Sequence, residues 1–167
     1  MLEGELRMTH LCIRFYLTIL LFSAITVAAQ PQSTPDFSGI WKQDNDRCMP
    51  KRSGDVTLHI KHHDPELTIE TSISHDSVNA RRAIQKYTTD GRASVSTGAD
   101  GDEFDTAVAR KGSSLVFSIE EHEGGSILRS TEIWSLIENG ATLQRIRERT
   151  RGEKQILLYQ RQQRASK

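Results

Sequence analysis

From Phe37 to Arg161 the chain alternates apolar and polar residues in short runs, separated by turn-forming residues. A repeat of two puts every second side chain on the same face of an extended strand. The first run, residues 37–43, places Phe37, Gly39 and Trp41 on one face. Residues 44–54 are rich in Asp, Asn, Pro and Gly and read as a loop. Residues 55–62 and 66–74 follow as two strands joined at Asp64-Pro65. With His63 opposite Glu66, Ile60 faces Ile69. Val56, Leu58, Ile60, His62, Leu67, Ile69, Thr71 and Ile73 then share one side. Thr57, His59, Lys61, Thr68, Glu70 and Ser72 take the other, as a half-buried antiparallel hairpin requires.

The pattern repeats through residues 80–89, 92–97, 103–110, 114–121, 126–137, 142–150 and 154–161. Asp90-Gly91, Gly98, Gly112, Gly124-Gly125, Asn139-Gly140 and Gly152 mark the turns. There is no helical period. Many short strands with Gly-containing turns predict an all-β fold, a single closed or nearly closed antiparallel up-and-down barrel of about eight to ten strands.

The turn at Asn139-Gly140 allows a finer reading. Asn-Gly favours a two-residue turn with both residues at positive φ. Glu138 then stands opposite Ala141, Leu136 opposite Leu143, Trp134 opposite Arg145, Glu132 opposite Arg147 and Ser130 opposite Arg149. One face carries Leu136, Leu143, Trp134, a cation over the indole and an ion pair. The other carries Ile133, Ile137, Ile146, Thr131 and Glu148. Both faces have apolar residues, so two arrangements stand at this point. With the Trp134 face inside, Trp134, Arg145, Arg147 and Glu132, joined by Tyr87 and Phe117, line a cavity. Guanidinium there suits the carboxylate or phosphate head of an amphipathic anion such as a fatty acid. With that face outside, the pairs are cross-strand contacts worth about 0.2–1 kcal/mol each.

Residues 1–29 break the alternation. Arg7 and Arg14 precede an apolar run from Phe15 to Val27, followed by Ala28-Ala29-Gln30. This is the order of a secretory signal peptide, with Val27 and Ala29 at the small positions before the cut. The run is shorter than the roughly 20 apolar residues that span a bilayer. Met8 offers a second start that removes Glu3 and Glu5. The expectation is an exported chain, periplasmic or extracellular, with a flexible lead over 30–36, a barrel domain over 37–161 and a frayed tail over 162–167. Cys12 leaves with the signal, and Cys48, left without an internal partner, reads as a small buried hydrophobe.

The 22 Lys+Arg balance the 22 Asp+Glu. A neutral chain has no overall pull toward nucleic acid. An outer-membrane barrel is set aside because lipid would meet His59, Lys61 and Glu70. His59, His62, His63, Asp64 and His75 invite a metal, yet residues four apart on a strand stand about 13 Å from each other, too far for one zinc. The acidic run 100–105 lacks the spacing of a calcium loop and reads as a solvated turn. No nucleophile elbow, zinc-protease helix or phosphate-cradling loop is present, and no motif calls for a cofactor. A carboxylate pair such as Glu120 and Glu132 is open to a barrel, but nothing in the sequence selects it.

Gly39-Ile40-Trp41 resembles the opening of lipocalin-like, or calycin, barrels. The closer likeness is to bacterial exported lipocalin-like proteins of unknown function. It rests on Asp36-Phe37-Ser38-Gly39-Ile40-Trp41-Lys42, Tyr87-x-x-Asp90-Gly91, Gly112-Ser113-Ser114-Leu115-Val116, Glu132-Ile133-Trp134-Ser135-Leu136 and Gly140-x-x-Leu143. The resemblance implies that Gly39, Trp41 and a basic residue of the last strand, Arg161, close one end of the barrel. It also implies a small apolar ligand. Arg110 departs from it where an aromatic is expected, Cys48 where Ser is, and Asn139 where Asp is. The function classes that remain are a binding protein for a small apolar or amphipathic molecule and an envelope interaction protein with a filled barrel. An enzyme on this frame comes third.

Overall fold

In the computed structural model the described residues are 34–74, 81–97, 103–150 and 152–163. All belong to one unit, Thr34–Lys167. The readings of residues 1–33, of His75, of the full acidic run and of the last residues of the tail lie outside them.

Ten strands follow one another: β1 Gly39–Gln43, β2 Asp55–His63, β3 Glu66–Ser74, β4 Arg81–Thr88, β5 Asp90–Thr97, β6 Glu103–Lys111, β7 Ser114–Glu123, β8 Ser126–Ile137, β9 Thr142–Arg149 and β10 Lys154–Arg161. They form one antiparallel sheet in the order β4-β3-β2-β1-β10-β9-β8-β7-β6-β5. Pairing of β1 with both β2 and β10 bends this sheet into an up-and-down barrel. No ladder joins β4 to β5 among the described residues, so the barrel is nearly closed, with one seam.

Alternation sets the inside. Leu58, Ile60, Leu67 and Ile69 are buried, in the hairpin register expected from His63 opposite Glu66. Phe37, Trp41, Tyr87, Val108, Leu115, Phe117, Trp134, Leu143 and Tyr159 complete the core. Strand ends shift by one or two residues from the pattern, β7 for example running on to Glu123, and two of the shifts have a clear physical cause. Phe37 precedes β1 rather than opening it, because its backbone N–H goes to Nδ1 of His62 and not to a ladder. Asp90-Gly91 belongs to β5, with the register shifting between Asp90 and Ala93. A bulge there absorbs the turn residues into the strand.

The end where the lead enters is closed by Trp41, fully buried, whose indole N–H donates to the Phe37 carbonyl at 3.0 Å. The Arg161 guanidinium covers the ring at 4.3 Å and donates to the carbonyls of Gly140 and Ser38, both at 3.1 Å. Gly39 has φ +144°, and a Cβ there would meet the Trp41 indole at 3.5 Å and Arg161 at 3.6 Å. Only glycine accepts that backbone without strain.

At the same end a side-chain clasp crosses the seam. Arg110 of β6 donates to Asp64, in the β2–β3 turn, at 2.6 Å. Asp64 also accepts from the Thr89 hydroxyl at 2.8 Å and contacts Nε2 of His62 at 2.9 Å. Thr89 is the single residue between β4 and β5. The residue that departs from the lipocalin-like pattern thus holds the two sides of the seam together where the ladder does not. Cys48 is buried, within 3.1 Å of the Asp44 carbonyl.

Candidate functional site

The β8–β9 turn positions the site. Asn139 and Gly140 both have positive φ, and the Ala141 N–H donates to the Glu138 carbonyl at 3.1 Å. Glu138 has positive φ as well, at 53°. The turn keeps the expected register: Leu136 opposite Leu143, Trp134 opposite Arg145, Glu132 opposite Arg147 and Ser130 opposite Arg149. Of the two faces, the one with Trp134 points inward. Trp134 is 2% and Glu132 1% exposed, against 39% for Ile133 on the opposite face.

Glu132 is the centre of this inner face. One carboxylate oxygen accepts from the Trp134 indole at 2.6 Å and from Nε of Arg145. The other accepts from Nε of Arg147 at 2.9 Å. Burial pushes this carboxyl up. The charges of Arg145 and Arg147, with hydrogen bonds from Arg145 and Trp134, outweigh it and bring the group down to about 2. A buried carboxylate with this many donors stays ionised.

Arg145 is fully engaged. Besides Glu132 it donates to the Tyr159 hydroxyl at 3.2 Å and lies over the rings of Trp134 at 4.6 Å and Tyr159 at 5.5 Å. Burial lowers its tendency to hold a proton, but Glu132 more than restores it, so it stays a cation. Burial likewise pushes the hydroxyls of Tyr87 and Tyr159 up. Arg147 is less enclosed, with 31% of its side chain exposed against 16% for Arg145.

These groups line a cavity of about 340 Å³ that runs from Tyr87 and Trp134 toward Ile73 and Arg149 at the rim. Ile69, Ala83, Phe104, Phe117 and Ile119 supply its apolar wall. Phe117 packs at 4.6 Å on Trp134 and edge-on at 5.9 Å against Tyr87. All six sequence-predicted cavity residues, Trp134, Arg145, Arg147, Glu132, Tyr87 and Phe117, lie on this wall. Gly39, Trp41 and Arg161 sit apart, at the closed end. A hollow of about 570 Å³ on the outer face, beside His59, Lys61 and His63, does not reach Glu132. Of the two, the interior cavity is the stronger candidate, since it joins an apolar wall to convergent buried polar groups.

Tyr159 was missed by sequence reasoning. It faces Leu143 across β9–β10 and is two residues from Arg161, so strand parity carries the signal. Glu120 does not meet Glu132: it pairs with Arg129 at 2.8 Å on the outer side, and Glu121 takes the inward position. His59 faces Glu70 across β2–β3 at 3.9 Å, while His62 turns inward to the clasp. Among the described residues no group of three or more His, Cys, Asp or Glu is placed to hold a metal ion.

No family model matches the sequence. No curated protein matches it. Solved structures do. The chain is similar to secretory abundant heat soluble protein 4 from Ramazzottius varieornatus, with a TM-score of 0.61 and 11% identity over 79% of this chain and 99% of that one. It is similar to a fatty acid transporter, REP1-NXSQ, with a TM-score of 0.56 and 13% identity over 77% and 98%. It is also similar to the apo form of a lipid binding protein of Caenorhabditis elegans, with a TM-score of 0.57 and 12% identity over 75% and 95%. At these identities the likeness shows the fold alone, a nearly closed up-and-down β-barrel.

Proposed function

We propose that this chain is an exported, non-enzymatic binding protein that holds a small apolar or amphipathic molecule inside its barrel. One observation carries the reading: the cavity of about 340 Å³ joins an apolar wall to the buried Glu132–Arg145–Arg147 cluster. That volume falls at the lower end of the roughly 300–1,000 Å³ of small-molecule sites. Two of the similar barrels are a fatty acid transporter and a lipid binding protein. Export rests on residues 1–29, whose charge, apolar run and small residues follow the order of a signal peptide. Glu132 is a poor candidate for acid–base catalysis, since a carboxyl lowered to about 2 by Arg145 and Arg147 stays ionised at neutral pH and is a weak base. Native mass spectrometry of the exported form tests the reading. A mass increment from a co-purified small molecule, lost on delipidation, supports it. A bare protein that also takes up no added apolar compound refutes it.

A second reading, an envelope interaction protein working through its outer face, is favoured by one other observation. Val116, Ile133, Ile146, Ile156 and Met49 stand opposite one another in successive segments and form an unbroken apolar row outside the barrel. Ser118, Thr131, Glu148 and Lys154 flank it on one side, and Ser114, Ser135 and Gln144 on the other. An apolar band with a polar rim suits an interface. The occupant would be a second copy, because a formal net charge of +0 leaves no overall repulsion between chains. Sedimentation equilibrium decides: a monomer at every concentration removes this reading.

A further inference from the structure

Charge inside the barrel does not cancel around Glu132. One carboxylate faces two guanidinium groups, so the cluster keeps one positive charge in excess. The other charged residues of the cavity stand nearer the mouth. Glu121 lies four residues along β7 from Phe117, the partner of Glu132 in the ladder, or about 13 Å away. Arg149 has its own partner, Glu153, at 3.6 Å.

The excess charge has one outlet. Arg145 is spent on Glu132, Tyr159 and two aromatic faces. Arg147 uses only Nε, on Glu132 at 2.9 Å. Its two terminal nitrogens make no hydrogen bond among the described residues, and the side chain borders the cavity. A fork of this kind takes two oxygens of one anion. Glu132 is shared with Arg145 and so offsets only one of the two cations, and an uncompensated buried charge of either sign is costly.

We infer that the molecule held in the barrel carries a single negative charge, that its head sits on the terminal nitrogens of Arg147, and that Glu132 is a positioning residue holding that guanidinium from behind. This rests on the cavity-binding reading and adds a rule of charge. A monoanion neutralises the cluster, a neutral head leaves it positive, and a dianion makes it negative. The apolar wall of Ile69, Phe104 and Phe117 receives the rest of the molecule.

Titration calorimetry with dodecanoate, dodecanol and dodecyl phosphate tests the rule. Dodecanoate is expected to bind at least about tenfold more tightly than dodecanol, in line with a charge-assisted hydrogen bond. Dodecyl phosphate, with a second pKa of about 6, is expected to bind more tightly at about pH 5 than at about pH 8. Arg147→Gln, which leaves Glu132 paired with Arg145 alone, is expected to remove the preference for dodecanoate over dodecanol. Arg147→Lys, which keeps the charge, is expected to keep most of that preference. The inference is overturned if wild-type protein binds dodecanol as tightly as dodecanoate, if dodecyl phosphate binds better as a dianion, or if Arg147→Gln keeps the carboxylate preference. If none of the three probes binds, the cavity-binding reading fails with it.

Discussion

Glu132 shows how much one residue decides. Its carboxylate takes the Trp134 indole, Arg145 and Arg147 together, and the structure tolerates a carboxylate and two cations inside the barrel only because of this geometry. Removing one partner of a buried pair costs about 3–5 kcal/mol, so Glu132→Gln is expected to destabilise the fold by that amount at neutral pH, read by urea unfolding. The pH dependence has a definite sign. The folded-state value lies below the ordinary 4.5, at about 2. Its stabilisation is complete above the ordinary carboxylate range and is lost as pH falls through that window, on the order of 3 kcal/mol in all. Hydrogen bonds that outweigh burial also lower Asp36 and Asp64, which add to the same acid limb. Unfolding midpoints followed down to pH 2 should therefore fall less steeply in Glu132→Gln than in the wild type. Parallel curves would show that Glu132 is not held ionised. Gly39 makes a separate case at this scale. At φ +144°, beside Trp41 and Arg161, an added Cβ is strained, and Gly39→Ala is expected to cost about 1–3 kcal/mol of unfolding free energy.

At the scale of elements, the β8–β9 hairpin marks where sequence reading works and where it stops. Asn139-Gly140 sets the turn, and counting back from it pairs Trp134 with Arg145 and Glu132 with Arg147. Which face points inward is not legible there. Both faces carry apolar side chains, and the inner one also carries three charged groups that a hydrophobic pattern assigns to water. Burial of those charges depends on Tyr159, which arrives from β10, and on closure of the barrel, neither of which is local to the hairpin. The clasp was illegible for the same reason. Arg110, Asp64, His62 and Thr89 come from three separate parts of the chain, and Arg110 stood out only as a departure from the lipocalin-like pattern. Because it ties β6 to the β2–β3 turn beside Thr89, where β4 passes into β5, Arg110→Gln is expected to cost about 1–3 kcal/mol. Backbone amide exchange should rise first in β4 and β5. Faster exchange spread evenly over all strands would contradict a role at the seam.

For the whole molecule, two-residue alternation carried the architecture. It placed all ten strands; β7 runs two residues past its expected end, Phe37 lies outside β1 because its N–H is used by His62, and Asp90 is drawn into β5 by a bulge. The cavity lay beyond such reading, because its volume depends on how far the six strands that line it stand apart. The solved structures agree on the barrel and, at 11–13% identity to a heat soluble protein, a fatty acid transporter and a lipid binding protein alike, leave the contents to this chain's own residues. The proposed ligand is a small amphipathic molecule held against Arg147, in the cavity that Trp134 also lines. The chain has two tryptophans, one in the cavity and one at the closed end. The most direct measurement is therefore an NMR titration with dodecanoate that follows both indole N–H signals. The Trp134 signal, bonded to Glu132, is expected to shift and saturate while that of Trp41 stays in place. No shift at Trp134, or shifts confined to outward residues such as Ile133, would contradict it.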